Sequence, residues 1–217
     1  MTVAAFFDLD LTLLSINSGA SWVRRERRLG RINNKQMLQA YVRFFLYRLS
    51  LIDMEEAMRL ALAMYRQLPE QTLADWTRSW YEAEIAPTAA PGAFPVLQEH
   101  RQQGHLLVLL TTSSPYEAAV AREQFGLDHA LSSRYEVDNG LLTGEPILPL
   151  CYGPGKVTVA EQFAAERGLD LDACYFYSDS YSDRPMLERV GHPYVVNPDL
   201  RLGWFARKKK WPVLDWR

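Results

Sequence analysis

The sequence predicts an α/β fold, with a parallel sheet, helices on both its faces and a helical bundle inserted near the N-terminus. Three observations lead there. Residues 3–9 form an apolar run that reads as a buried strand before any helix begins. Residues 15–87 carry helix-period patterning with no convincing strand. From Pro91 onward, short apolar runs alternate with helical segments, as in a parallel sheet covered by its crossover helices. The division that follows is a sheet domain over 1–14 and 88–217, with a helical domain over 15–87.

Composition sets the limits. With 217 residues, 48% apolar and 23% charged, the chain has an ordinary globular composition and the length for a sizeable core. A formal net charge of -2 leaves no electrostatic footprint for nucleic acid. The basic run Arg207-Lys208-Lys209-Lys210 reads as a solvated helix end. Cys151 and Cys174 have no metal-ligand spacing and suggest a reducing compartment. Acidic residues interrupt the first apolar run and no basic leader precedes it, so a signal peptide is not expected. The segment from Tyr41 to Ile52 contains Arg43 and Arg48 and is too short and too charged to span a bilayer. A cytoplasmic chain with no membrane partner is therefore expected.

Within the insert, Asn17 or Ser18 is placed to cap a first helix closing at Gly30. Asn33 opens a second through Leu51. Asp53 with Glu56 starts a third, and Pro69 a fourth that runs through Trp76 and Trp80. Tyr41, Phe44, Phe45, Tyr47 and Leu51 stand at helical spacing and read as bundle core. Beyond the insert, residues 92–103 look helical. Leu106–Leu110 is a strand ending in Thr111-Thr112-Ser113-Ser114, and a helix runs from Pro115 to Phe125 and closes at Gly126. Asp138-Asn139-Gly140 marks a hairpin. Gly155-Lys156 opens another helix, and Cys174–Tyr177 is a strand before Ser178-Asp179-Ser180. The next helix carries Asp183, and Tyr194–Val196 is a last core strand.

Ligands of open α/β sheets bind beyond the carboxyl ends of the strands. The groups gathered at such boundaries are Asp8 and Asp10, Thr112, Lys156, and then Asp179 and Asp183. Asp8 and Asp10 stand at i and i+2, a spacing that puts both on one side of an extended chain. Buried together they would repel, and a hard cation such as Mg²⁺ relieves that. The chemistry these groups fit is phosphoryl transfer through a covalent aspartyl-phosphate. Asp8, Asp10 and Asp179 can supply a metal site, and Thr112 and Lys156 can hold phosphoryl oxygens.

The motifs resemble those of the haloacid dehalogenase superfamily, and more narrowly its phosphoserine-phosphatase-like branch, which carries a helical cap after the first motif. Phe6-Phe7-Asp8-Leu9-Asp10-Leu11-Thr12 is similar to the first motif and Leu109-Leu110-Thr111-Thr112 to the second. Gly155-Lys156 resembles the third, and Tyr175-Phe176-Tyr177-Ser178-Asp179-Ser180-Tyr181-Ser182-Asp183 the fourth. The resemblance implies a Rossmann-like core and Mg²⁺-dependent hydrolysis of a small phosphomonoester. Asp8 would be nucleophile and metal ligand. Asp10 would be the general acid–base, giving its main-chain carbonyl to the metal. Asp179 would complete the metal ligands, with Thr12 and Asp183 supporting. Thr112, Ser113 and Lys156 would bind phosphate, with Thr111 in place of Thr112 if the register is off by one.

One departure bears on the substrate. Phosphoserine phosphatases carry a glutamate nine residues after the nucleophile, where this chain has Asn17, which brings no charge to pair with an ammonium. Phosphoserine, histidinol phosphate and other small phosphomonoesters stay open. Asn17 and Arg24 are the candidates for substrate selectivity, although Arg24, Arg25, Arg27 and Arg28 read equally as a solvated helix face. Three other readings share part of this pattern. A catalytically idle phosphoester-binding or interaction protein would share the fold. A lipid-phosphate phosphatase would want a membrane segment. A signalling receiver domain is shorter and lacks the Asp179–Asp183 pair. Oligomeric state has no sequence signal.

Overall fold

The computed structural model describes residues 2–48 and 53–217. Its elements are β1 (Ala4–Phe7), α1 (Ser18–Arg28), α2 (Asn34–Arg48), α3 (Met54–Leu62), α4 (Glu70–Trp80), α5 (Ala93–Gln102), β2 (Leu106–Thr111) and α6 (Pro115–Phe125). There follow β3 (His129–Ser132), β4 (Arg134–Asp138), β5 (Leu141–Ile147), α7 (Pro154–Arg167), β6 (Tyr175–Ser178), α8 (Arg184–Arg189), β7 (His192–Val196), α9 (Leu200–Lys209) and β8 (Val213–Leu214).

Six strands make one sheet in the order β3-β2-β1-β6-β7-β8, parallel throughout. β1 is completely buried because both of its faces are covered. Ala5 and Phe7 point to one side and pack with Leu107, Leu109 and Tyr177 against Ala93 and Leu97 of α5 and Ala118 and Phe125 of α6. Ala4 and Phe6 point to the other and pack with Val108, Leu110 and Phe176 against α7, α8 and α9. The period of two along each strand thus feeds two apolar layers. From β1 the order grows in one direction through β2 and in the other through β6. The carboxyl end of β1 is therefore the switch point where such sheets bind ligands.

The insert is built from capped helices. Asn17 Oδ1 accepts from Ala20 N at 2.8 Å and caps α1. Asn33 and Gln36 cap α2 reciprocally, each side chain bonding the other's main-chain N–H, at 2.9 and 2.8 Å. Asp53 caps α3, and Pro69 stands immediately before α4. The expected extension of α2 through Leu51, and the expected core side chains Phe44, Phe45, Tyr47 and Leu51, lie outside the described residues. On either side of the inserted helices the chain runs beside itself: Ser15 N donates to Thr88 O and Ala90 N to Leu13 O, both at 2.8 Å. The β4–β5 hairpin leans on the insert, with Gln67 N donating to Leu142 O and Arg59 pairing with Glu145 at 2.7 Å.

Three expectations are corrected. The first strand ends at Phe7 rather than at residue 9, so Asp8 and Asp10 both lie in the loop that follows it. Asp183 stands in the separate 3-10 turn Tyr181–Asp183 that precedes α8. The strand at Tyr194–Val196 is not the last, since a short edge strand, β8, follows the basic end of α9 and pairs with β7. Among the described residues no helix is long and apolar enough to cross a membrane.

Candidate active site

Asp8 follows directly on β1, and its N–H donates to Tyr177 O of β6 at 3.0 Å, so the sheet fixes its position. The chain then turns through a tight loop, closed by Leu14 N to Leu9 O at 2.9 Å and Leu11 N to Ile16 O at 3.1 Å. Leu11 has φ +57°, a left-handed conformation that disfavours a side chain by roughly 1–2 kcal/mol. The strain sits between Asp10 and Thr12. Asp10 Oδ1 accepts from Ser18 N at 2.9 Å, which ties its carboxylate to the first turn of α1.

Lys156 arrives from the first turn of α7 and is 1% exposed. Its Nζ lies 2.8 Å from Asp8 Oδ1 and 2.7 Å from Asp183 Oδ2. Ser178 Oγ also donates to Asp183 Oδ2 at 2.7 Å. Asp183 therefore orients the ammonium that faces Asp8. The close approach behind Lys156 requires Gly155: a Cβ there would stand 2.0 Å from Leu150 O. Asp179, 3% exposed, follows directly on β6, and its carbonyl accepts from Asp199 N at 2.9 Å. Asp199 also caps α9 and accepts from Tyr181 N at 2.8 Å, so it pins the loop carrying Asp179.

Burial dominates the electrostatics. It pushes the Asp8 carboxyl up to about 7, Lys156 pulls it down, and Asp183 and Asp10 push it further up. Asp10 is raised by burial as well, opposed first by Ser18. For Asp8, the cost of burying the charge outweighs the attraction of Lys156.

The donors suit a hard cation: oxygen only, from buried carboxylates. Among the described residues no three or more His, Cys, Asp or Glu side chains converge as a metal-holding group. A set of two carboxylates and a main-chain carbonyl does not require that, since Mg²⁺ usually keeps waters and takes one or two carboxylates plus a substrate phosphate. Thr12 Oγ1, fully buried two residues from Asp10, has no hydrogen-bond partner, a further oxygen in the loop without a role in the protein alone.

The other expected residues divide. Thr112 stands half-buried beyond β2, and its hydroxyl donates to Cys151 O at 2.9 Å, so a phosphoryl oxygen would compete with that carbonyl for the proton. Thr111, the alternative register, is buried and its Oγ1 accepts from Ser113 N at 3.1 Å, a turn-forming role. Asn17 is accounted for by capping α1. Arg24 is exposed, while its neighbours pair within the protein: Arg25 and Arg31 with buried Glu26, Arg27 with Asn34, and Arg28 with Glu84. Sequence reasoning missed Ser18 and Glu117, both buried near Asp10. The signal for Glu117 was present, in Ser114-Pro115-Tyr116-Glu117 opening a helix, but it reads as a capping box.

Residues 5–188 match the haloacid dehalogenase-like hydrolase family. The chain belongs to that family. A Mycobacterium tuberculosis protein named phosphoserine phosphatase SerB1 is 33% identical over 222 residues, covering 100% of this chain and 72% of its own. A Neisseria meningitidis protein named histidinol-phosphatase is 28% identical over 218 residues, covering 98% of each. The crystal structure of a Bordetella pertussis protein described as of unknown function superposes with a TM-score of 0.88, at 30% identity and 100% coverage of both chains.

Proposed function

We propose that the protein is a Mg²⁺-dependent phosphomonoesterase that acts on a small phosphorylated metabolite through a phosphorylated Asp8. The observation that carries this reading is Lys156 Nζ held between Asp8 and Asp183 at 2.8 and 2.7 Å, at the carboxyl end of the central strands. A lysine so placed screens an anionic nucleophile from an anionic ester. An Asp8 oxygen attacks phosphorus, the P–O bond to the alcohol breaks, and the alcohol leaves with the proton of Asp10. Asp10 then takes a proton from water, whose oxygen attacks phosphorus and returns Asp8 as carboxylate with inorganic phosphate released. The raised proton affinity of buried Asp10 suits a group that must begin this cycle protonated. Asp8, Asp179 and the Asp10 carbonyl would hold Mg²⁺, which would supply charge stabilisation to the transferring phosphoryl group.

Names of relatives point to phosphoserine or histidinol phosphate, both small, and a reducing intracellular compartment suits two buried unpaired cysteines. The test is Mg²⁺-dependent phosphate release from an aryl phosphate. The expected result is turnover that Asp8→Asn lowers by ~10³-fold or more while leaving the circular dichroism spectrum intact. An Asp8→Asn enzyme retaining the wild-type rate would remove Asp8 as nucleophile. No turnover by the wild-type protein on any phosphomonoester would favour an idle binding protein instead.

A further inference from the structure

Glu117 opens α6 at the third helical position, and its main-chain N–H donates to Ser114 Oγ at 3.1 Å. The reciprocal half of a capping box, the glutamate reaching back to the cap's own N–H, is not made. Glu117 is 6% exposed, and its Oε1 has no hydrogen-bond partner. Ser18 Oγ, fully buried in the first turn of α1, is likewise without one, although the Ser18 side chain acts on both the Asp10 and Glu117 carboxyls. Asp10 lies close enough to repel the Glu117 carboxylate, and the Ser18 and Ser113 side chains stand beside it. Among the described residues no cation acts on Glu117 or pairs with it. Glu117 in turn acts on the hydroxyls of Tyr81 and Tyr135, so its surroundings are acidic and aromatic. Two buried oxygens with vacant acceptor positions, beside a second carboxylate and no positive charge, are complementary to a compact donor-rich cation.

We propose that Glu117, with Ser18, is a specificity-determining residue that binds an ammonium group of the substrate while the phosphoester sits at Asp8 and Lys156. This rests on the phosphomonoesterase reading. It moves charge selection from position 17, where Asn17 caps a helix, to the first turn of α6 in the sheet domain. The substrate class is a small phosphomonoester with a primary ammonium within a few bonds of the ester oxygen.

The test compares three substrates with full-length protein and Mg²⁺: 2-aminoethyl phosphate, its uncharged analogue 2-hydroxyethyl phosphate, and an aryl phosphate. Wild-type kcat/KM should favour the aminoethyl over the hydroxyethyl ester by at least ~10-fold. Glu117→Gln should remove that preference chiefly through KM, and Glu117→Asp should restore part of it. Ser18→Ala should weaken the preference in the same direction, which guards against a fold defect peculiar to position 117. Equal wild-type kcat/KM for the two alkyl esters, or a Glu117→Gln enzyme losing all three activities by one common factor, would overturn the proposal. Absence of wild-type turnover on the aryl phosphate would instead overturn the phosphomonoesterase reading, and this proposal with it.

Discussion

His100 lies 4% exposed beneath the sheet, with Nε2 2.9 Å from Tyr177 Oη and Nδ1 2.8 Å from His105 Nδ1. Burial drives its pKa from 6.5 down to about 4, and His105 contributes in the same direction. The unfolded chain takes up this proton near 6.5, whereas the folded protein resists until about 4. The unfolded state thus binds more protons across that window, so stability is present above it and falls as pH falls. Urea unfolding at a series of pH values should show a shallower acid-side decline in His100→Gln than in wild type; parallel declines would contradict the assignment. The proposed catalytic acids at the same scale stand out in the chain because Asp8-Leu9-Asp10 closes an apolar run. Glu117 does not, because nothing in its spacing distinguishes a glutamate that caps a helix from one with a buried carboxyl oxygen left unpartnered next to another acid.

Among the elements, α1 and α7 decide most. Asn17 holds the start of α1, and α1 presents Ser18 to Asp10. Asn17→Ala should cost about 1 kcal/mol of stability with the ratio of kcat/KM values between substrates unchanged. Thermal unfolding and two-substrate kinetics check this, and a changed ratio would return Asn17 to substrate selection. At α7, Gly155→Ala would push a methyl to 2.0 Å from Leu150 O and displace the turn that aims Lys156. The expected outcome is a fall in kcat of ~10²-fold or more alongside lowered stability, read by steady-state kinetics and thermal unfolding. A fully active variant would show that Lys156 does not depend on this approach. Elements with local punctuation were legible: α6 between Pro115 and the left-handed Gly126, and the hairpin at Asn139 and Gly140, both at positive φ. β8 has two residues and no periodicity to read, and its strand character comes only from pairing with β7. The separate turn holding Asp183 is set by Lys156 and Ser178, contacts far from it in sequence or invisible to periodicity.

For the whole molecule, the fold class was readable because alternating apolar runs separated by helices leave few arrangements other than a parallel sheet. The proposed substrate selection was not, since it would depend on how the insert, α6 and the loop after β1 meet around Asp10. The arrangement divides labour between distant segments. In the proposed mechanism the loop after β1 supplies the attacking carboxylate and the acid–base, α7 the ammonium, and the loop and turn after β6 the remaining acids. The proposed mechanism requires that Asp8 carry the phosphoryl group. The deciding experiment is to acid-quench the enzyme during turnover of a phosphate-labelled substrate and map the labelled peptide by mass spectrometry. One phosphoryl group is expected on the peptide containing Asp8, absent from Asp8→Asn; label on another residue, or turnover with no phosphoenzyme and an active Asp8→Asn, would rule the mechanism out.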